Sequence, residues 1–113
     1  MPAKWKSRES GKATVVDATG RITAGDGAIS LRDTCRELVA AGHKNLVLNM
    51  AEISYMDSSG IGELVALLAV ANEGGAVRLL NPTKRVLDLL DMTHVKTLFQ
   101  VFTDESTAVK SFE

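Results

Sequence analysis

The residues best suited to chemistry lie in one segment, Tyr55-Met-Asp-Ser-Ser-Gly-Ile-Gly-Glu-Leu64. It gathers a carboxylate, two hydroxyls and two glycines where an apolar strand pattern gives way to a helical one. Several chemistries use such junctions, and spacing excludes most of them here. A dinucleotide fingerprint needs a third glycine three residues after Gly62, where Val65 stands. A nucleophile elbow on Ser58 needs glycine two residues before it, where Met56 stands; for Ser59 the corresponding positions are Asp57 and Ile61. The order Ser58, then Asp88 or Asp91, then His94 fits a hydrolase triad formally, but almost any chain offers such a trio. The earlier run Gly20-Arg-Ile-Thr-Ala-Gly25 has the glycine spacing of a Walker loop. It then places Asp26 and Gly27 where the phosphate-binding Lys and the metal-binding hydroxyl belong, and a carboxylate there repels phosphate.

Two readings of the segment remain. In the plainer one, Asp57, Ser58 and Ser59 cap the following helix by accepting its free N–H groups, and Gly60 and Gly62 permit close packing. In the functional one, a hydroxyl displayed at a helix start, with a carboxylate on one side and a glycine on the other, is a phosphoacceptor that a partner backbone can approach.

The surrounding pattern predicts an α/β domain. Lys4 to Glu9 and Ala13 to Ala18, separated by Ser10-Gly11, read as a hairpin. After the glycine-spaced stretch Gly20, Gly25 and Gly27, a helix puts Leu31, Cys35, Leu38 and Val39 on one face, and Gly42 is suited to end it. Leu46-Val-Leu is a short buried strand, and Ile53 to Met56 leads into the central segment. Ser59 to Asn72 is apolar on almost every side, so that helix must be largely covered. Ala76 to Leu80 is the next strand. A helix follows Pro82-Thr83, with Val86, Leu87, Leu89 and Leu90 inward and Lys84, Arg85 and Asp88 outward. A strand near Phe99 to Phe102 precedes a last helix capped by Thr103 or Asp104, with Val109 and Phe112 inward. The order is β-β-α-β-α-β-α-β-α, which implies a mixed sheet with an antiparallel opening hairpin, then parallel strands, and about four helices. Partners of such sheets gather at the carboxyl ends of the strands.

Composition narrows the function further. A chain of 113 residues with 45% hydrophobic content fits one domain, spanning residues 1–113, with a core that needs no staple. A formal net charge of −1 supplies no field for nucleic acid or an anionic membrane, and 4% aromatics leave no base-stacking platform. The longest apolar run, Leu64 to Ala71, is far shorter than the roughly 18 residues of a membrane span. Met-Pro-Ala-Lys-Trp-Lys is no secretory signal, so a cytoplasmic protein is expected. Cys35 is the single cysteine and reads as a core residue. His43 and His94 have no second ligand at metal spacing, so neither metal nor cofactor is expected. Lys4, Lys6 and Arg8 share one face of an edge strand, where cations discourage unwanted pairing.

Val47-Leu-Asn, Ile53-Ser-Tyr-Met-Asp-Ser-Ser-Gly-Ile-Gly62, Leu79-Leu-Asn-Pro and Val86-Leu-Asp-Leu-Leu together resemble the STAS domain of bacterial anti-sigma factor antagonists, from about Lys4 to Phe112. The resemblance implies a partner-switching regulator of transcription rather than an enzyme. In that family the serine after the aspartate, here Ser58, is phosphorylated by the anti-sigma factor, a serine kinase that supplies its own ATP. The unmodified antagonist binds the kinase, the phosphorylated one lets go, and a serine/threonine phosphatase resets it. On this pattern Asp57 orients the acceptor hydroxyl or its backbone, Ser59 caps the helix, Gly60 keeps the approach clear, and all three are assigned with Gly62 to partner contact. Many relatives carry an acidic residue after the Gly-x-hydrophobic step that ends the second strand. Here Gly20-Arg-Ile is followed by Thr23, with Asp26 three residues later, and both are assigned to partner contact. Two alternatives stay open: a STAS protein outside sigma regulation, such as a lipid-transporter subunit or a stress-signalling scaffold, and a nucleotide or anion sensor using the Gly20 to Gly27 loop and the helix start at Ser59.

Overall fold

The computed structural model describes residues 4–23, 28–69 and 75–113, with residues 28–30 described by their backbone alone. β1 (Lys4–Ser10) and β2 (Ala13–Ile22) form the expected antiparallel hairpin. Ser10 pairs with Ala13 across a two-residue loop whose first residue, Gly11, has φ 58°, a left-handed conformation that glycine adopts without strain. α1 (Ala28–Ala40) ends at Gly42, φ 99°. The Gly42 N–H donates to the Val39 carbonyl at 3.0 Å and the His43 N–H to the Leu38 carbonyl at 2.9 Å, the two bonds of a Schellman cap.

β3 (Asn45–Met56) is a single strand of 12 residues where the apolar pattern suggested two short pieces. The reason lies in its pairing with β2. Asp17 faces Asn49 while Thr19 faces Glu52, and Gly20 faces Ile53 while Arg21 faces Tyr55, so β3 carries an extra residue at each of two bulges. The bulges break the period of two, and Met50, Ile53 and Met56 turn inward at intervals of three. Asn49 braces the first bulge, donating from Nδ2 to Asp17 Oδ1 at 2.8 Å and accepting from the Ala51 N–H at 3.2 Å.

α2 (Ser58–Ala66), β4 (Ala76–Leu80), α3 (Lys84–Met92), a single 3-10 turn at Lys96–Leu98, β5 (Val101–Phe102) and α4 (Glu105–Lys110) complete the chain. Leu68 and Ala69 are helical again after α2; the remainder of the helix expected to reach Asn72 lies outside the described residues. β2, β3, β4 and β5 are parallel neighbours, and the sheet order β1-β2-β3-β4-β5 follows the chain. Because the order never reverses, this sheet has no topological switch point, and the crevice rule for open sheets locates nothing here.

Two cores flank the sheet. Alternation along β3 sends Leu46 and Leu48 to the face covered by Leu31 and Cys35 of α1, Ile61 and Leu64 of α2, and Val86 and Leu90 of α3. Val47 faces the other way, where Ala108 and Val109 of α4 join Phe102 and Phe112. Burial pushes the Cys35 thiol up to about 12, which keeps it protonated and unreactive.

His94 follows α3 with φ 60°, and the bonds from its N–H to Asp91 and from the Val95 N–H to Leu90 make it the pivot of a second Schellman cap. A side chain is strained there, so His94→Gly is expected to stabilise the domain by about 0.5–1 kcal/mol after the extra backbone entropy of glycine is counted. Urea denaturation checks this, and an unchanged or lower midpoint contradicts it.

Arg8 does more than discourage pairing on the edge strand. Its guanidinium donates to Asp17 Oδ2 from Nε at 2.7 Å and to Glu105 Oε2 from Nη1 at 2.9 Å, clamping the hairpin to α4. Hydrogen bonds from Arg8 hold the carboxyls of both Asp17 and Glu105 below their ordinary values. Depressed folded-state values mean that the clamp contributes fully at neutral pH and is lost as pH falls through the carboxylate range. The groups are partly exposed, so the contribution is modest. The thermal midpoint of an Arg8→Met variant is expected to lie below the parent at neutral pH and to converge with it in acid; a constant gap would contradict this.

Candidate functional site

The site forms where β3 passes into α2. Asp57 is the N-cap, with φ −107° and ψ −172°, and its Oδ1 accepts from the Gly60 N–H at 3.0 Å. Its carbonyl accepts from the Ile61 N–H at 3.0 Å, and its own N–H donates to the Ile22 carbonyl at 3.3 Å. That last bond ties the helix start to the end of β2. Of the two roles expected for Asp57, the bond observed is to the backbone.

Ser58 and Ser59 are then the first two residues of α2, and both are exposed. Ser59 is not the cap, because a residue already inside the helix cannot accept from the N–H two or three positions ahead; Asp57 takes that place. Gly60 is buried. A Cβ on it would lie 2.4 Å from the Ile22 carbonyl oxygen and 2.6 Å from Cγ of Met56, so only glycine lets α2 sit this close to the end of β2. Gly62 is exposed and a Cβ there would meet nothing within 4 Å, so the packing expected of both glycines is required only at Gly60.

Thr23 directly follows β2 and is 9% exposed, more covered than either serine. Asp26 lies outside the described residues, as do Gly25 and Gly27 of the glycine-spaced stretch. Two features escaped the sequence reading. Arg32 Nε of α1 and Glu63 Oε2 of α2 meet at 3.3 Å, an ion pair that links the two helices. Two guanidinium groups approach the Tyr55 ring, with Arg21 Cζ 5.9 Å and Arg85 Cζ 6.0 Å from its centroid. Contacts between residues tens of positions apart leave no local pattern to read.

Of the formal triad, Asp88 pairs with Lys84 at 3.2 Å and His94 serves the cap of α3. Among the described residues no three His, Cys, Asp or Glu side chains group as a metal site, and no described helix is long and apolar enough to cross a membrane.

The five-stranded mixed sheet agrees with what comparison with known proteins finds. The family model described as the STAS domain matches residues 4–108. This chain belongs to the STAS domain family. It is similar to the anti-sigma-B factor antagonist of Bacillus subtilis, 33% identical over 58 residues that cover 50% of this chain and 53% of that protein. The namesake from Staphylococcus epidermidis is 34% identical over 70 residues, 61% of this chain and 63% of that one. The chain thus spans between half and two thirds of the length of these relatives. Among solved structures, an anti-sigma factor antagonist from Mycobacterium paratuberculosis superposes with a TM-score of 0.82 at 17% identity, covering 96% of this chain and 92% of that one. The anti-sigma factor antagonist SpoIIAA in its unphosphorylated form gives 0.78 at 18% identity, over 96% of each chain. Those structural likenesses establish the STAS fold.

Proposed function

We propose that this chain is an anti-sigma factor antagonist that switches partners through Ser58. Unmodified, it binds an anti-sigma factor that is itself a serine kinase; transfer of the ATP γ-phosphoryl group to Ser58 Oγ releases it, and a serine/threonine phosphatase restores the binding form. The observation that carries this reading is the exposed hydroxyl of Ser58 at the first position of α2, in a backbone held by the Asp57 cap and by Gly60 against Ile22. The names of the curated relatives support it. So does SpoIIAA, whose phosphorylated form also matches this fold, with a TM-score of 0.71.

Phosphate on Ser58 adds a charge of roughly −1.5 to −2 at neutral pH. A helix start favours an anion by about 0.3–1 kcal/mol, and Ser58 and Ser59 belong to the first turn of α2, whose N–H groups have no intrahelical partner. Repulsion from a carboxylate about 5 Å away is ~2–6 kcal/mol at effective dielectrics of ~20–80, with exposure favouring the low end. At its low end the repulsion exceeds the helix-start term by about 1–2 kcal/mol, less than the roughly 5–15 kcal/mol that holds a domain together, so the free domain keeps its fold. In the complex the balance changes, because a phosphate buried against a surface that cannot pair it costs several kcal/mol in lost hydration. Ser58, Ser59 and Gly62 form the exposed part of the contact, with Asp57, Gly60 and Thr23 shaping it from beneath; Asp26 is assigned to the same contact by the family pattern alone.

Incubation with an anti-sigma factor kinase of the same organism and ATP, followed by peptide mapping, tests the assignment. One phosphate on Ser58 is expected. Modification of Ser59 alone, or of neither serine, overturns it.

A further inference from the structure

Away from the Ser58 surface, exposed apolar and charged groups of the described residues lie together between the end of β3 and α3. There a concavity of about 510 Å³ has Tyr55, Met56, Leu89 and Met92 as its apolar lining and Lys84, Arg85 and Asp88 at its rim. A second, of about 460 Å³, is lined by Arg21, Ser54, Tyr55 and Arg85. The two share Tyr55 and Arg85 and so form one elongated groove around the tyrosine ring. Tyr55 is 41% exposed and Met92 78%, which is unusual for apolar bodies of this size beside an otherwise closed core.

The charges choose the occupant. Of the three cations along the groove, Lys84 engages Asp88 at 3.2 Å, and Arg21 has a partner of its own besides the Tyr55 ring. Among the described residues Arg85 has no carboxylate partner and rests over the Tyr55 ring. A guanidinium held over an aromatic face keeps its donors turned outward for a carboxylate. Tyr, Met and Arg are the residue types enriched at protein interfaces, where aromatic and Arg anchors carry most of the binding energy. A small ligand needs most of its surface enclosed, and this groove is too open to enclose one.

We propose that the groove docks an acidic segment of a partner protein, a stretch carrying one or two large apolar side chains that cover Tyr55, Leu89 and Met92 while flanking Asp or Glu side chains meet Arg85 first and Lys84 beside it. No residue of α2 lines the groove, so the docking depends on no phosphate at Ser58 and does not rest on the switching proposal.

The test is titration of the isotope-labelled chain with a synthetic peptide of sequence EELFDELE, followed by amide NMR shifts, beside an analogue in which every acidic residue is lysine. Saturable shifts are expected around Tyr55, Arg85 and Met92 with the acidic peptide, weakening with added salt. The lysine analogue should bind at least about tenfold more weakly, a difference of roughly 1.4 kcal/mol. Arg85→Glu and Met92→Lys, both at exposed positions, should each weaken the acidic peptide by a similar factor, and Ser58→Ala should leave it unchanged. Equal shifts with both peptides, no shifts, or shifts elsewhere overturn the proposal. So does self-association of the chain that Met92→Lys abolishes, which would give the groove to a second copy.

Discussion

Replacing Gly60 with alanine is expected to destabilise the domain by about 1–3 kcal/mol, the usual range for forcing extra volume into a packed interior. The added Cβ would stand 2.4 Å from the Ile22 carbonyl oxygen and 2.6 Å from Cγ of buried Met56. The Ile22 carbonyl belongs to a paired strand and cannot yield, so α2 must move outward. The same carbonyl accepts the Asp57 N–H, so the shift breaks the tie that places the cap and displaces Ser58 with it. Loss of stability and loss of partner binding are therefore expected together. Gly62→Ala is the control: it meets nothing within 4 Å, so it should stabilise the helix by about 0.5–1 kcal/mol. Thermal and urea denaturation of the two variants measure this contrast. A Gly60→Ala protein as stable as its parent, or equal losses at both glycines, would contradict the close approach of α2 to β2.

The second large effect is expected in binding rather than in stability. Ser58→Ala removes the acceptor and should bind the anti-sigma factor kinase with parental affinity even in the presence of ATP. Ser58→Asp places a carboxylate at the first position of α2, where a helix tolerates it or gains about 0.3–1 kcal/mol. Its complex, however, must bury an unpaired charge, and a cost near 3 kcal/mol corresponds to about a hundredfold loss in affinity. Both variants should keep the parental stability within about 1 kcal/mol, since Ser58 is exposed. Calorimetric titration and denaturation on the same samples separate the two effects. Equal affinities for the two variants, or loss of binding accompanied by unfolding, would rule out a charge-based switch. The electrostatic scale suits this: the whole chain carries a formal net charge of −1, and one phosphate roughly trebles it at a single helix start.

Local chemistry made much of this legible in the sequence. The hairpin at Gly11, the end of α1 at Gly42, the start of α3 after Thr83 and the element order all follow from turn residues, caps and apolar period, and the structure has them. β3 was legible only in pieces, because its two bulges shift the alternation and the bulges are set by the pairing with β2. The helix start at Asp57 to Gly60 was visible as a cluster of cap-forming residues. Which residue caps it was not, because Asp57, Ser58 and Ser59 are all competent, and the choice depends on the bond from the Asp57 N–H to Ile22, 35 residues earlier in the chain. Likewise Gly60 and Gly62 look alike in sequence, and only the neighbouring strand makes one of them obligatory. The Arg8 clamp joins residues 97 positions apart at Glu105, and the guanidinium pair around Tyr55 draws on β2 and α3; no pattern along the chain encodes either.

The central claim is that a single phosphate at Ser58 decides whether the partner is held. Its most direct measurement is the affinity of an anti-sigma factor kinase of the same organism for the unmodified chain and for the chain phosphorylated at Ser58, determined side by side, with circular dichroism confirming that both are folded. The account predicts tight binding of the unmodified chain and an affinity at least about tenfold to a hundredfold weaker for the phosphorylated one, with the fold intact. Equal affinity of the two forms would contradict it.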